Sequence, residues 1–473
     1  MSKKNRGLIA LAVISASMIF VTGCGAGNAG TQKPSASGNG GNATAENVAQ
    51  NAEDANTEAD GAGSATTGQS EHMDALLGEW VRIASMGDEF YSTTEDIEYA
   101  GTMDIYVEDG NYKVDCVENE YGYSEYYGVK LSEVAKPDYP GNDAADWYAQ
   151  FTRKNAPDVS YDIALLEKDI LKLHIHSTYS YQDEETGENI EEVYDNYEVY
   201  VRKDSANIDD IMFKYRYTNT VNVSSIREFY EAIDNNTRII LEAGTYNISE
   251  LPFEQRHNEN INYYNNEETW EPEFYNYDTI SVKNISNLLI EAKEGAQVTI
   301  CTEDPYEAPL SFQYCNNVTL SGLTVGHNVE PGHCSGSVIL IDDSSKININ
   351  DCRLYGCGTY GVEASNSYAI NVVDTDIFEC TYGLVNLYNT GNMTFKNCNM
   401  HDSRGFDMIC IQDCWNILFE SCSITDNVVD YESNFLIKAV GDDIKFKDCH
   451  FEGNYYDNFK YGSASLENCS ISD

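Results

Sequence analysis

The stretch Asn392-Met393-Thr394-Phe395-Lys396-Asn397-Cys398 returns with small changes along the second half of the chain. It appears as Ser345-Lys346-Ile347-Asn348-Ile349-Asn350-Asp351-Cys352, as Trp415-Asn416-Ile417-Leu418-Phe419-Glu420-Ser421-Cys422 and as Asp443-Ile444-Lys445-Phe446-Lys447-Asp448-Cys449. An earlier copy is Asn316-Asn317-Val318-Thr319-Leu320-Ser321-Gly322-Leu323, and a weaker one ends at Cys469. The equivalent positions Cys352, Thr375, Cys398, Cys422, Cys449 and Cys469 lie 23, 23, 24, 27 and 20 residues apart. Apolar and polar residues alternate within each copy, and each interval suits one coil of a parallel β-solenoid with three short strands.

Ahead of the repeats, Ser225-x-x-Glu228 reads as a capping box, with Ile226, Phe229, Tyr230 and Ile233 at i, i+3, i+4 and i+7. A short amphipathic helix is expected there, followed by a strand, a Gly turn and a second strand across Arg238-Ile239-Ile240-Leu241-Glu242-Ala243-Gly244-Thr245-Tyr246. Helix, strand and Gly-Thr-Tyr in this order resemble the opening of pectate-lyase-like proteins. The resemblance implies a right-handed parallel β-helix over residues 205–473, its first coil covered by the helix. The repeats continue to Ile471 without a second amphipathic helix, so an exposed terminal edge and end-to-end association are expected.

Residues 73–204 read as a separate all-β unit. Thr102-Met103-Asp104-Ile105-Tyr106-Val107 alternates and runs into the hairpin signature Glu108-Asp109-Gly110-Asn111. The unit opens on Leu77-Gly78-Glu79-Trp80 and closes on Tyr200-Val201-Arg202, which resembles small lipocalin-like antiparallel barrels. That likeness implies the Arg202 guanidinium lying on the Trp80 indole. His174 and His176 alternate to one strand face, but no partner carboxylate or third histidine is apparent in sequence, so they read as surface histidines. No metal site is expected.

The first residues are an address. Lys3, Lys4 and Arg6 precede an apolar stretch over residues 7–21, which ends on Val21-Thr22-Gly23-Cys24. This resembles the lipobox of bacterial lipoproteins. It implies a signal peptide over 1–23, a lipidated Cys24 as mature N-terminus and a bilayer partner at the outer face of the cell membrane. Residues 24–72 are small and polar, too poor in apolar groups to fold, and span roughly 35–40 Å as a tether.

The formal net charge is −49, from 78 acidic and 29 basic residues, which argues against nucleic acid as a partner. No acidic run matches a calcium loop, so no cofactor is expected and Ca²⁺ has no motif behind it. Thirteen cysteines remain after Cys24. Cys352, Cys398, Cys422, Cys449 and Cys469 follow the coil period and read as an inward ladder of thiols.

Chemistry on a β-helix is expected on the outward face of one strand column, coils being about 4.8 Å apart. Residues 337–341, 361–364, 383–387, 407–411 and 434–438 form that column. Beside it lies the longest departure from the period, residues 326–336. His327, His333, Glu363, Asp407 and Arg404 are the candidate acid, base and cationic groups of a polysaccharide lyase or glycoside hydrolase. The same residues serve equally as sugar-binding groups, so whether the chain is an enzyme stays open. The order of polygalacturonase-type signatures is not matched, and no pectate-lyase calcium carboxylates can be mapped. A second candidate ligand site is the insertion 253–277, with Tyr263, Tyr264, Trp270 and Tyr275. Two functions fit: engagement of extracellular carbohydrate, or a non-catalytic adhesion or display scaffold for a protein or wall component.

Overall fold

The computed structural model describes residues 70–87, 90–94, 100–117, 126–137, 147–154, 156–182, 189–251, 261–263, 280–330, 332–356 and 358–472. Cys24 and most of the 253–277 insertion lie outside these. The chain divides into two compact units, Met1–Ile208 and Asp209–Asp473, and both are built mainly of strands. Among the described residues, no helix is long and apolar enough to cross a membrane.

The first unit is a ten-stranded antiparallel sheet, curled into a nearly closed barrel-like form. Its opening strand, Gly78–Gly87, pairs with its closing strand, Asn189–Arg202, with Trp80 directly opposite Arg202. The guanidinium lies 4.2 Å from the indole centroid, as the Gly-x-Trp and Arg motifs imply. Arg202 also donates to the carbonyls of Leu77 and Ala75, and Trp80 Nε1 to that of Leu76, so a half-buried guanidinium over a buried indole closes one end. The Asp109-Gly110 turn joins Thr102–Glu108 to Asn111–Val117, both turn residues at positive φ. The core collects Trp80, Met103, Ile105, Phe151, Ile163, Leu171, Leu173 and Tyr200.

The second unit is the expected parallel β-helix. A helix not expected from sequence, Ile208–Arg216, forms at the unit boundary, with Asp209 and Asp210 in its first turn and Lys214 and Arg216 in its last. Its signal is end charges complementing the helix dipole, not a clear apolar stripe. The capping helix Ile226–Ala232 follows: Ser225 accepts from the Glu228 N–H, and Glu228 reaches back to the Ser224 N–H. Its buried Ile226, Phe229 and Tyr230 join the interior.

Each coil then contributes three strands in parallel register. Face 1 contains Leu310–Gln313, Ile339–Asp342, Tyr360–Ser365, Gly383–Tyr388 and the first halves of Ile409–Glu420 and Ile437–Lys447. Face 2 contains Asn316–Ser321, Ser345–Asn350, Tyr368–Val373 and Gly391–Lys396, then the second halves of the same two strands. Face 3 contains Thr324–His327, Arg353–Tyr355, Asp376–Phe378, Asn399–His401, Ser423–Thr425 and His450–Glu452.

The corners explain the repeat. Between faces 2 and 3 the chain bends through Asp351, Asp374, Asn397, Ser421, Asp448 and Asn468, all at positive φ. Asp and Asn tolerate that left-handed region better than most residues. The next residue turns inward, and there stand Cys352, Thr375, Cys398, Cys422, Cys449 and Cys469. Their thiols are free, and those of Cys398, Cys422 and Cys449 lie against the carbonyls of Val372, Phe395 and Phe419. A second inward ladder, Cys315, Ser344, Ser367, Thr390 and Cys414, lines the corner between faces 1 and 2, and a third runs Cys380, Ser403, Asn427, Asn454. Cys334, in the long loop, is instead disulfide-bonded. Phe395, Phe419 and Phe446 stack inside at 4.5 and 4.4 Å.

Candidate functional site

The outward row of face 1 is Leu340, Glu363, Asn386, Cys410, Lys438 and Tyr461, one residue per coil in strict register. Glu363 is the carboxylic acid of this row. Its Oε1 accepts from Asn386 Nδ2 at 3.0 Å and its Oε2 from the Ser337 hydroxyl, which also meets Thr359 Oγ1 at 3.0 Å. Burial, with repulsion from Asp342, raises its pKa against the pull of those hydrogen bonds. Asp342 sits one coil away and two residues along, accepting from Gln313 Nε2 at 3.2 Å and from Ser365. Asp407 is separately engaged, with the Phe435 N–H at 2.8 Å and Lys438 Nζ at 3.0 Å.

Around the entry to face 1, four successive coils carry an aromatic residue. Tyr360, Tyr382, Phe406 and Tyr431 form a ladder along the coil axis, with centroids 6.5, 4.8 and 4.9 Å apart. Gly405, at φ +145°, makes this stacking possible, because a Cβ there would lie 2.2 Å from the Thr381 carbonyl oxygen. Tyr382, Phe406 and Tyr431 line an open cleft of about 590 Å³ with Gly332, Glu379, Thr381, Asp402, Arg404 and Asp430. Tyr431 keeps 52% of its surface exposed. Arg404 holds Asp430 through Nε and Nη2 at 2.8–3.1 Å, in a side-on fork.

Residues 337–473 match the family model described as "Right handed beta helix region". No curated protein matches the chain. Among solved structures, a pectate lyase from Paenibacillus sp. 0602 aligns at 8% identity over 51% of this chain and 79% of its own, with TM-score 0.24. A PL6 family alginate lyase aligns at 12% identity over 54% and 40%, with TM-score 0.26. The tailspike protein gp49 of Pseudomonas phage LKA1 aligns at 9% identity over 84% and 59%, with TM-score 0.23. The chain spans less than two thirds of the alginate lyase and of the tailspike. Likeness this distant says nothing about chemistry.

The β-helix gathers some of the sequence candidates and separates others. Arg404 lies in the cleft, Asp407 directly follows the cleft residue Phe406, and Glu363 is three residues beyond Tyr360. His333 is exposed and adjoins Gly332 on the cleft wall. His327 does not reach this surface. It ends the strand Thr324–His327 on the same side as Val325, is 2% exposed, and bonds the Glu307 carbonyl through Nε2 at 2.9 Å. Burial pushes its pKa down to about 4, which makes it a neutral structural histidine. Tyr263 is described only as backbone, paired opposite Ile280, while Tyr264, Trp270 and Tyr275 lie outside the described residues.

Two groups escaped the sequence reading. The aromatic ladder had a signal, since Tyr360, Tyr382, Phe406 and Tyr431 are 22, 24 and 25 residues apart, near the coil period. The other is on the barrel-like unit, where His174 and His176 are not plain surface histidines. His174 is buried, and Asp195 from the neighbouring strand supplies the carboxylate that the sequence did not reveal.

Proposed function

We propose that this chain is a lipid-anchored envelope protein that binds extracellular polysaccharide lengthwise along the aromatic corner of its β-helix. The observation behind this reading is the cleft in which Tyr382, Phe406 and Tyr431 repeat at coil spacing beside a charged fork. Aromatic rings offer apolar area to the C–H faces of sugars, and the neighbouring acids and Arg404 offer hydrogen bonds to hydroxyls. Neutral glycan suits the cleft better than a polyuronate. Arg404 is already matched by Asp430, Glu379 and Asp402 leave the wall acidic, and the whole chain carries −49.

Binding rather than cleavage is the supported role. Glu363 is held by Ser337 and Asn386, Asp407 by Lys438, and Arg404 by Asp430, so each charged candidate already has a partner. Anchoring rests on Val21-Thr22-Gly23-Cys24 and the polar tether after it.

A glycan array probed with the full chain tests the reading. Neutral polysaccharide should bind, and Tyr431→Ala with Tyr382→Ala should weaken that binding at least tenfold. Unchanged binding in the double variant, or retention of only a protein partner, would refute it and favour a display scaffold. Cys24→Ser should release the chain from cells into the medium; retention at the membrane would remove the anchor.

A further inference from the structure

On the barrel-like unit, the strands Ala156–Glu167, Ile170–Gln182 and Asn189–Arg202 lie side by side. Leu171 and Leu173 point into the core, so His174 and His176 lie on the opposite face. Register sets Asp195 opposite His176 and Tyr197 opposite His174. On the other side it sets Asp162 opposite His174 and Ser160 opposite His176.

Both imidazoles converge on one atom. His174 Nε2 is 2.6 Å and His176 Nδ1 2.7 Å from Asp195 Oδ1, and the three atoms all lie within 4.8 Å of one another. The rings are held in place: the Tyr197 ring stacks on His174 at 4.4 Å, and Lys172 Nζ lies 3.9 Å from the Tyr197 centroid. Asp162 is the independent observation. Its side chain is fully buried, and Oδ1 accepts from Gln150 Nε2 at 2.8 Å and from Ser160. Oδ2 has no hydrogen-bond partner. An orphaned carboxylate oxygen in a buried place is costly unless a cation or donor meets it.

We propose that His174, His176 and Asp195, with Asp162 beside them, form a binding site for a divalent cation of the zinc class. Two imidazole nitrogens and a carboxylate are the donor set that such ions prefer, at about 2.0–2.2 Å per bond, whereas calcium takes oxygens alone. Tetrahedral ligands stand roughly 3.3 Å apart at those bond lengths, so each imidazole nitrogen need move only about 0.6–0.7 Å from Asp195 Oδ1 relative to its metal-free hydrogen bond. A water takes the fourth position, and Asp162, on the adjoining strand, adds negative charge beside it. Gln150, Ser160 and Tyr197 act as the outer shell that fixes ligand orientation. The competing arrangement is a metal-free cluster in which both imidazole N–H groups donate to Asp195.

Titration of the chelator-stripped full chain with Zn²⁺ or Co²⁺ separates the two. One equivalent should bind and raise the melting temperature, while Ca²⁺ and Mg²⁺ should do neither. Bound Co²⁺ should show the intense visible bands of four-coordination without the near-ultraviolet bands of thiolate, which distinguishes this site from the cysteine ladders. His176→Ala, at the more exposed histidine, should keep the fold and weaken binding at least tenfold; Asp162→Asn should weaken it less. Absence of stoichiometric binding, thiolate bands, or affinity unchanged in His176→Ala would overturn the proposal.

Discussion

The two units bury polar groups in opposite ways. In the β-helix, the inward polar groups of the corner ladders meet partners one coil away. The Cys352 N–H donates to Thr375 Oγ1 at 3.3 Å, Ser403 N–H to Asn427 Oδ1 at 3.0 Å and Asn427 N–H to Asn454 Oδ1 at 3.1 Å. The groups are small, alike and satisfied locally. In the barrel-like unit the polar cluster runs across four strands, through Gln150, Asp162, His174 and Asp195, and each member is chemically distinct. A repeat spreads its polar burden over interchangeable parts; an antiparallel sheet concentrates it. Damage should therefore stay local in the β-helix and spread in the barrel-like unit.

The largest effects should come from aromatic truncation. Trp80→Ala removes a fully buried indole and the seat of Arg202, and should cost about 3–5 kcal/mol in urea unfolding of the barrel-like unit. Phe419→Ala, between Phe395 and Phe446, should cost a similar ~3–5 kcal/mol. Hydrogen exchange should tell them apart. Protection should fall across the whole sheet for Trp80→Ala, but only in coils adjoining Phe419 for the other. Loss of protection as far away as Tyr246 would break the contrast.

A smaller effect should follow pH. The fold holds His327 neutral with its pKa lowered to about 4, while in the unfolded chain it titrates near 6.5. Protons therefore favour the unfolded state between these values, so stability falls as pH drops from 6.5 to 4 and then levels. The contribution is at most about 3 kcal/mol. His327→Gln should flatten that slope relative to wild type, measured by unfolding at pH 4.5 and 7.5; equal slopes would show that the ring protonates in place.

The smallest change should come from swapping ladder members. Cys422→Ser should cost less than about 1–2 kcal/mol, because a hydroxyl can keep the bond to the Phe395 carbonyl as Thr375 does for Ile349. Burial pushes the Cys352 thiol up to about 11 and Cys380 up to about 12, so iodoacetamide at pH 8 should label these thiols only on unfolding. Rapid native labelling of either would show that the coils open.

Legibility in the sequence followed the same division. The coil period, the capping box and the inward cysteines could be read because their partners recur at fixed spacing. Trp80 and Arg202 could be read because each sits in a short motif. Asp195 could not be placed beside His174 and His176, since hairpin register rather than spacing brings them together. The nearness of Asp342 to Glu363 is not legible either, because adjacency across coils depends on which residues face outward. The strand Thr324–His327 runs into the stretch expected as loop, and alternation from Val325 turns His327 inward.

The left-handed corners also bear on the acidity of the chain. A bend that favours Asp, Asn or Gly, repeated once per coil, writes carboxylates into the surface whether or not any ligand wants them. Stacked one above another, identical charges would push the coils apart. The corners moderate this by interleaving amides, as where Asn397 Nδ2 donates to Asp374 Oδ1 at 3.1 Å and Asn389 to Asn366 at 2.9 Å. Part of the negative surface of the β-helix, Asp343, Asp351, Asp374, Asp402, Asp413, Asp426, Asp443 and Asp448 among it, is thus a by-product of how it turns, and the asparagines between the aspartates act as its insulation.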